Sequence, residues 1–307
     1  MRRFLFSIVL FFIPIIMALV ALEYGVRKIP NDYAYKNHWL ENHISSVQIL
    51  TLGASHGYYG IQPSCFDAIA FNAGHVSQSL KYDEFILDKF MDEADSLQWL
   101  ILPVSYHSLL YELENDVEWW RVKKYCIYYH CPYHRWRLRY RSEIVGMKLV
   151  EQLVRMKKYL VNHEDEVYSD SLGWGTNHSL KNRKADWYLN GEKRALYHTC
   201  PMDQALLREN KQIVGAMVER CLAKHVRVLL LSTPVFHSYY DHVNVDQLEL
   251  MTRCCDSLAA VYENVFYLNL MKDGLFTEDD FFDADHLNEF GAEKLSRLLN
   301  ELLVESD

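Results

Sequence analysis

Apolar positions in this chain fall into one long run and then five short ones. Arg2 and Arg3 precede a charge-free stretch from Phe4 to Leu22. Helix rise is about 1.5 Å per residue, which carries this stretch nearly across a hydrocarbon core of roughly 30 Å. Beyond it, Val47 to Leu52, Ala68 to Phe71, Trp99 to Leu102, Arg227 to Ser232 and Val265 to Leu270 read as short buried strands. They end in Gly53, Pro103 and Pro234 or in polar turns, and helical patterns separate them. From Asp203 to Lys224, Leu207, Ile213, Val214, Met217 and Val218 recur at helical spacing. The last helix starts at Asn288, a side chain suited to an N-cap, and buries Leu295, Leu298, Leu299, Leu302 and Leu303. Strands alternating with helices predict a three-layer α/β/α domain on a parallel sheet of about five strands.

The first run predicts a retained signal anchor. Its end, Ala18-Leu19-Val20-Ala21, lacks the small residue three positions before a cut after Ala21, and the run is longer than the apolar core of a cleaved signal. No cysteine precedes Cys65, so no lipid-attachment site follows the run. The Arg pair stays cytoplasmic by the positive-inside rule, which places the remainder outside in a single-pass topology. The expected division is an anchor over 1–24, a polar tether over 25–46 and an α/β domain over 47–307. Residues 107–200 break the strand–helix rhythm and are expected to form a helical insertion or cap.

Half the residues are hydrophobic, enough for a sizeable core. The net charge of −9 points away from nucleic acid as a partner. Against that balance, residues 121–141 hold seven Arg or Lys and no acid, interleaved with aromatics such as Trp119, Tyr128 and Trp136. Such a stretch either meets anionic lipid headgroups or an anionic glycan, or pairs with acids elsewhere in the fold. Seven cysteines in an exported chain permit disulfides, and Cys126 with Cys131 is the first candidate pair. Cys126, His130, Cys131 and His134 carry ligand chemistry without a zinc-finger spacing. His163 to Glu166 reads as a solvated loop. No motif implies a cofactor or a metal.

Ligands of open α/β sheets sit beyond the carboxyl ends of the strands. Ser55 lies there, after the first strand, between residues small enough for a sharp turn. Asp283 and His286 lie after the last strand. A serine hydroxyl needs a base to become a nucleophile, and an imidazole serves once a carboxylate fixes its tautomer. Three-residue spacing lets Asp283 reach Nδ1 and leaves Nε2 facing outward. Asp285 is a local alternative. Thr233, before Pro234, and Tyr239 and Tyr240 follow the fourth strand and either line a pocket or pack a turn.

These blocks resemble those of the SGNH/GDSL hydrolase superfamily. Leu50 to His56 is similar to its nucleophile block, in a Gly-x-Ser-His form. Asp283 to Gly291 is similar to its Asp-x-x-His block. Phe71 to Ser77 is similar to its second block, with Ser77 where a glycine stands. The third block, Gly-x-Asn-Asp, corresponds to Pro103-Val104-Ser105-Tyr106, with Ser105 in place of the oxyanion-hole asparagine. The resemblance implies catalytic Ser55, Asp283 and His286, and an oxyanion hole from Ser55, Ser77 and Ser105. His56, Asn72, Tyr106 and Thr233, beside these blocks or after the fourth strand, are the candidate substrate contacts. The implied activity is ester hydrolysis or O-acyl (acetyl) transfer on an exported or cell-surface glycan, in the cell envelope, anchored to the membrane through the N-terminal helix. A membrane acyltransferase is a possible partner. The altered third block leaves room for a catalytically degenerate subunit that binds glycan or assists such an acyltransferase.

Overall fold

The computed structural model describes residues 2–305. In chain order the helices and strands are α1 (Arg2–Arg27), α2 (Asp32–His43), β1 (Ile49–Thr51), α3 (Ser55–Gly60), β2 (Ala70–Asn72), α4 (Leu80–Phe90) and β3 (Trp99–Pro103). They continue with α5 (Val122–Tyr128), α6 (Leu149–Lys157), α7 (Gly191–Tyr197), α8 (Gln204–Ala223), β4 (Arg227–Ser232) and α9 (His237–Tyr240). The last are α10 (Val245–Val261), β5 (Val265–Asn269) and α11 (Glu289–Glu305). The chain divides into two compact units, one formed by the segment up to His38 with Val117–Val167, the other by Trp39–Asp116 with the segment from Tyr168 onward.

The larger unit holds a five-stranded sheet in the order β2-β1-β3-β4-β5, with every pairing parallel. All strand positions but the first of β4 and the last four of β5 are buried, as befits a sheet covered on both faces. Ile49, Trp99, Ile101, Leu229 and Leu231 point to one face and pack with Leu295, Leu299 and Leu303 of α11. Alternation sends Leu50, Leu100, Leu102, Val228 and Leu230 to the other face, where α4, α8 and α10 bury Ile86, Val214, Met217 and Met251. Two of the expected helix starts carry their caps. Asp203 accepts from the N–H groups of Ala205 and Leu206, and Asn288 from those of Phe290 and Gly291. Leu302, expected on the buried face of α11, is 37% exposed.

The chain runs from β1 to β2 on one side and then to β3 on the other. This order reverses direction at β1, so the carboxyl ends of β1 and β3 flank a crevice. Ser55 and Ser105 stand at its two lips.

The structure overturns two expectations about the chain outside the sheet. Residues 25–46 are no polar tether, because α1 continues to Arg27 and α2 follows with Tyr33 and Leu40 buried. Lys36 and Asn37 are buried beside them, so polar and apolar residues share one face and the amphipathic signal vanishes. Residues 107–200 are not a single insertion, since Val117–Val167 belongs with the N-terminal segment and the flanks with the sheet.

The basic stretch 121–141 divides as well. Glu143, fully buried, pairs with Lys124 at 2.8 Å, Arg155 at 3.1 Å and Lys123 at 3.5 Å. Burial opposes its ionisation, but the three cations outweigh that and hold its carboxyl well below the usual range. Arg155 also pairs with Glu166, which is therefore no free loop acid. Arg121 pairs with Glu118, and Arg141 donates to the carbonyls of Cys126 and Tyr133. Arg135, Arg137 and Arg139 are exposed. At the base of α1, the Glu23 carboxylate accepts from the Ser142 hydroxyl at 2.8 Å and from the N–H groups of Glu143 and Ile144 at 3.1 Å each. All seven cysteines are thiols, Cys126 and Cys131 included, so the expected disulfide is not formed.

Candidate active site

The turn that presents Ser55 is built on Gly53, whose φ of +99° is the left-handed region open to glycine. Its N–H donates to Asp83 Oδ1 at 2.6 Å, and its carbonyl accepts from His75 N–H at 3.2 Å. Asp83 is fully buried and also accepts from the Gln78 side chain at 2.6 Å. Burial dominates those two bonds and pushes its carboxyl up to about 7. Ser55 is the first residue of α3, so its N–H has no acceptor within the helix.

On the other side, Asp283 Oδ1 accepts from the N–H groups of Asp285 at 3.1 Å and His286 at 2.8 Å, which curls the loop onto itself. Asn288 fastens the preceding turn by donating to the carbonyls of Asp279 and Phe281. A Cβ at Gly291 would overlap the Asp280 carbonyl, which is why only glycine fits where α11 starts against that turn.

These two loops bring Ser55, Asp283 and His286 together. Ser55 Oγ lies 2.8 Å from His286 Nε2, and His286 Nδ1 lies 2.9 and 3.1 Å from the two Asp283 oxygens. Two loops from opposite ends of the sheet domain thus meet at one imidazole. With Nδ1–H donating to Asp283, Nε2 is free to accept the serine proton. Burial alone would lower the His286 pKa, but Asp283 and Asp285 together raise it above the ordinary value.

Four more imidazoles surround this one. His56 stacks on His286 with ring centroids 4.9 Å apart, and His178 meets it edge-on at 5.0 Å while lying between Tyr59 and Phe282. His107 stacks on His198 at 4.2 Å, and His198 Nδ1 bonds to the Tyr239 hydroxyl at 2.8 Å. Burial, reinforced by neighbouring imidazoles, holds His107 down to about 4, His178 down to about 2, and His56 and His198 well below the ordinary value. All four are therefore neutral at pH 7. Asp285, fully buried, is gripped by Arg194 Nε and Nη2 at 2.9 and 2.8 Å. Burial opposes its charge, yet His286 and Arg194 hold it well below the usual carboxylate range.

Ser105 Oγ lies 3.0 Å from His56 Nδ1, across the crevice between β1 and β3. The other nitrogen of His56 faces Asp285 Oδ2 at 3.8 Å, and a buried carboxylate favours the proton on that side. Nδ1 then accepts, and the Ser105 hydroxyl spends its proton on His56 rather than on a substrate oxygen. Ser77 adopts φ +59° on the loop that His75 ties to Gly53.

Of the expected substrate contacts, Asn72 is fully buried with both amide protons donated to the carbonyls of Gly57 and Ile61. It holds α3 in place and has no donor left. The Tyr106 hydroxyl is bonded to Thr199 Oγ1 at 2.6 Å and accepts from Asn244 N–H at 2.9 Å. It anchors loops. Thr233 is buried at the end of β4, and Tyr239 serves His198. Among the described residues the one cluster of metal-ligating type is His56, Asp285 and His286, whose carboxylate Arg194 already occupies.

No sequence motif marks Asp83, His107, His178, Arg194 or His198. Asp83 sits in an ordinary helical pattern, and the other four come from the stretch without periodicity.

No family model matches the chain, and no curated protein matches it. Among solved structures it is similar to a GDSL-like lipase from Bacteroides thetaiotaomicron, at TM-score 0.44 and 10% identity over 89% of this chain and 98% of that one. It is similar also to a protein described as a lipolytic protein of the G-D-S-L family from Desulfitobacterium hafniense, at TM-score 0.43 and 11% identity over 83% and 99%. A third, described as a platelet activating factor from Streptococcus pneumonia, gives TM-score 0.43 and 12% identity over 94% and 96%. None of the three exceeds 12% identity, and the chemistry argued for this chain rests on its own side chains.

Proposed function

We propose that the chain is a serine-dependent ester hydrolase or O-acyltransferase working through an acyl-enzyme. The observation that carries this reading is one imidazole held at 2.8 Å from a serine oxygen and 2.9 Å from a carboxylate. Ser55 Oγ attacks the acyl carbonyl while His286 Nε2 takes its proton, and Asp283 stabilises the imidazolium. The tetrahedral oxyanion meets the backbone N–H of Ser55, at the first position of α3, and the backbone N–H of Ser77. Collapse breaks the ester bond, His286 returns the proton to the departing alkoxide, and the acyl group stays on Ser55. Water or a second hydroxyl, deprotonated by His286, then takes the acyl group and frees the serine.

The substrate we assign is an acylated glycan of the cell envelope, reached from the membrane by a chain anchored through α1 and facing outward. The support for the anchor is α1, 26 residues long, with exposed apolar side chains such as Phe4, Phe11, Ile16 and Val20. The test is labelling of the full chain by a fluorophosphonate, beside Ser55→Ala and His286→Ala. Labelling lost in both variants supports an activated serine. An unlabelled, folded wild type would overturn it. That outcome favours a second reading, a glycan-binding subunit, for which the observation is the Ser105 hydroxyl committed to His56 where the resemblance expects an oxyanion donor.

A further inference from the structure

The smaller unit carries an apolar surface that its own fold leaves open. On α6 and the single π turn that extends it, Lys158–Asn162, the exposed positions Leu149, Val150, Leu153, Val154, Leu160 and Val161 are 46–69% accessible. As the pairs 149/150, 153/154 and 160/161 they fall on one side of the segment, with the exposed Lys157 among them. Gln152, Arg155, Met156 and Tyr159 form the opposite side and face the protein. A soluble surface seldom keeps so continuous an apolar stripe.

The position of the stripe says what covers it. A Cβ at Gly25 would overlap the Met156 side chain, so α6 crosses α1 in contact at that residue. Gly25 lies three residues past Leu22, the end of the apolar run, or about 4.5 Å along the helix. Tyr24, 65% exposed with Lys28 over its ring, marks the same level with the residue types that favour a headgroup layer. Amphipathic helices that lie in a bilayer surface bury their apolar face by roughly 5–10 Å, which matches that height. Lys157 can extend its stem along such a face and keep its ammonium among the headgroups. Gly146, just before α6, packs on Arg139, which brings the exposed run Arg135–Arg139 to the same end, with Trp136 84% and Leu138 72% exposed.

We propose that α6 is an interfacial helix seated in a lipid bilayer around the exit of α1, with the Arg135–Arg139 run meeting anionic headgroups beside it. The inference rests on α1 spanning that bilayer. The test places the full chain in vesicles of phosphatidylcholine and phosphatidylglycerol containing a lipid with a photoreactive acyl chain, and maps the adducts by mass spectrometry. Adducts are expected on residues 149–161 as well as within 4–22, and absent around Val117, which is 73% exposed on the same unit. The variant Leu153→Ser/Leu160→Ser should lose the adducts on 149–161 and keep those on α1. Adducts confined to α1 would overturn the interfacial seat alone, as would cross-links joining 149–161 of two copies. Adducts on neither segment would remove the anchor and the seat together.

Discussion

Asp285 stands 3.7 Å from His286 Nδ1, the nitrogen that Asp283 holds at 2.9 Å, yet Asp285 accepts its hydrogen bonds from Arg194. Two carboxylates thus address one imidazole, and only one of them bonds to it. The other contributes field, and its charge is balanced from a helix of the stretch that broke the strand–helix rhythm.

Replacement separates the two roles. Asp283→Asn should leave the fold intact and lower kcat by about 10³–10⁴, since an amide no longer fixes the tautomer. Arg194→Ala should instead strand a buried carboxylate and cost roughly 2–4 kcal/mol, discounted for the third of Arg194 that reaches solvent. Urea denaturation beside ester kinetics distinguishes them, and equal losses of stability in both variants would contradict the division.

The acid limb of activity should report one group. His286 must be neutral to accept the serine proton, and its pKa is raised, so kcat/KM should climb through a single ionisation above pH 6.5. The four neighbouring imidazoles are already neutral there and add no second proton. The same shift gives His286 a stabilising contribution that is complete below its unfolded pKa and lost as pH rises through the folded one. A two-proton limb in a pH–rate profile on a nitrophenyl ester would refute the assignment.

Asp83 predicts a pH dependence of stability with the same sign. Its folded pKa of about 7 exceeds an unfolded value near 4, so its contribution is complete below about pH 4 and drains away as pH rises to 7. The difference is on the order of 3–4 kcal/mol. Asp83→Asn keeps an acceptor for Gly53 N–H and should flatten the slope between pH 5 and 7 in thermal melts. An unchanged slope would place the titration elsewhere.

Ser105 tests the oxyanion hole. With its hydroxyl bonded to His56, Ser105→Ala should slow acyl transfer by less than about tenfold, whereas loss of a working oxyanion donor costs about 10²–10³. A loss in the larger range would show that the hydroxyl turns to the substrate during the reaction.

The strands were legible because each is a short apolar run closed by a glycine, a proline or a polar turn. The Asp283–Gly291 block was legible because its cap, its turn and its glycine are all local. Arg194, His178 and His198 reach the site from a stretch without periodicity, and nothing near them in the chain signals their neighbours. Helix α2 was hidden by Lys36 and Asn37 on its buried face, where a period search expects apolar residues. Lys123 and Lys124 leave two readings open for the mirrored reason, since the acid that pairs with them, Glu143, lies about twenty residues away.

Glu23 gives the anchor a consequence for turnover. Its carboxylate is the acceptor for a hydroxyl and two backbone N–H groups of the segment that α1 supports. Any proteolytic cut on its carboxyl side would leave the Glu143 N–H buried and unanswered, beside the four-charge cluster. Shedding from the membrane and loosening of the smaller unit would then be one event, so a released chain would be marked for degradation by the act of release.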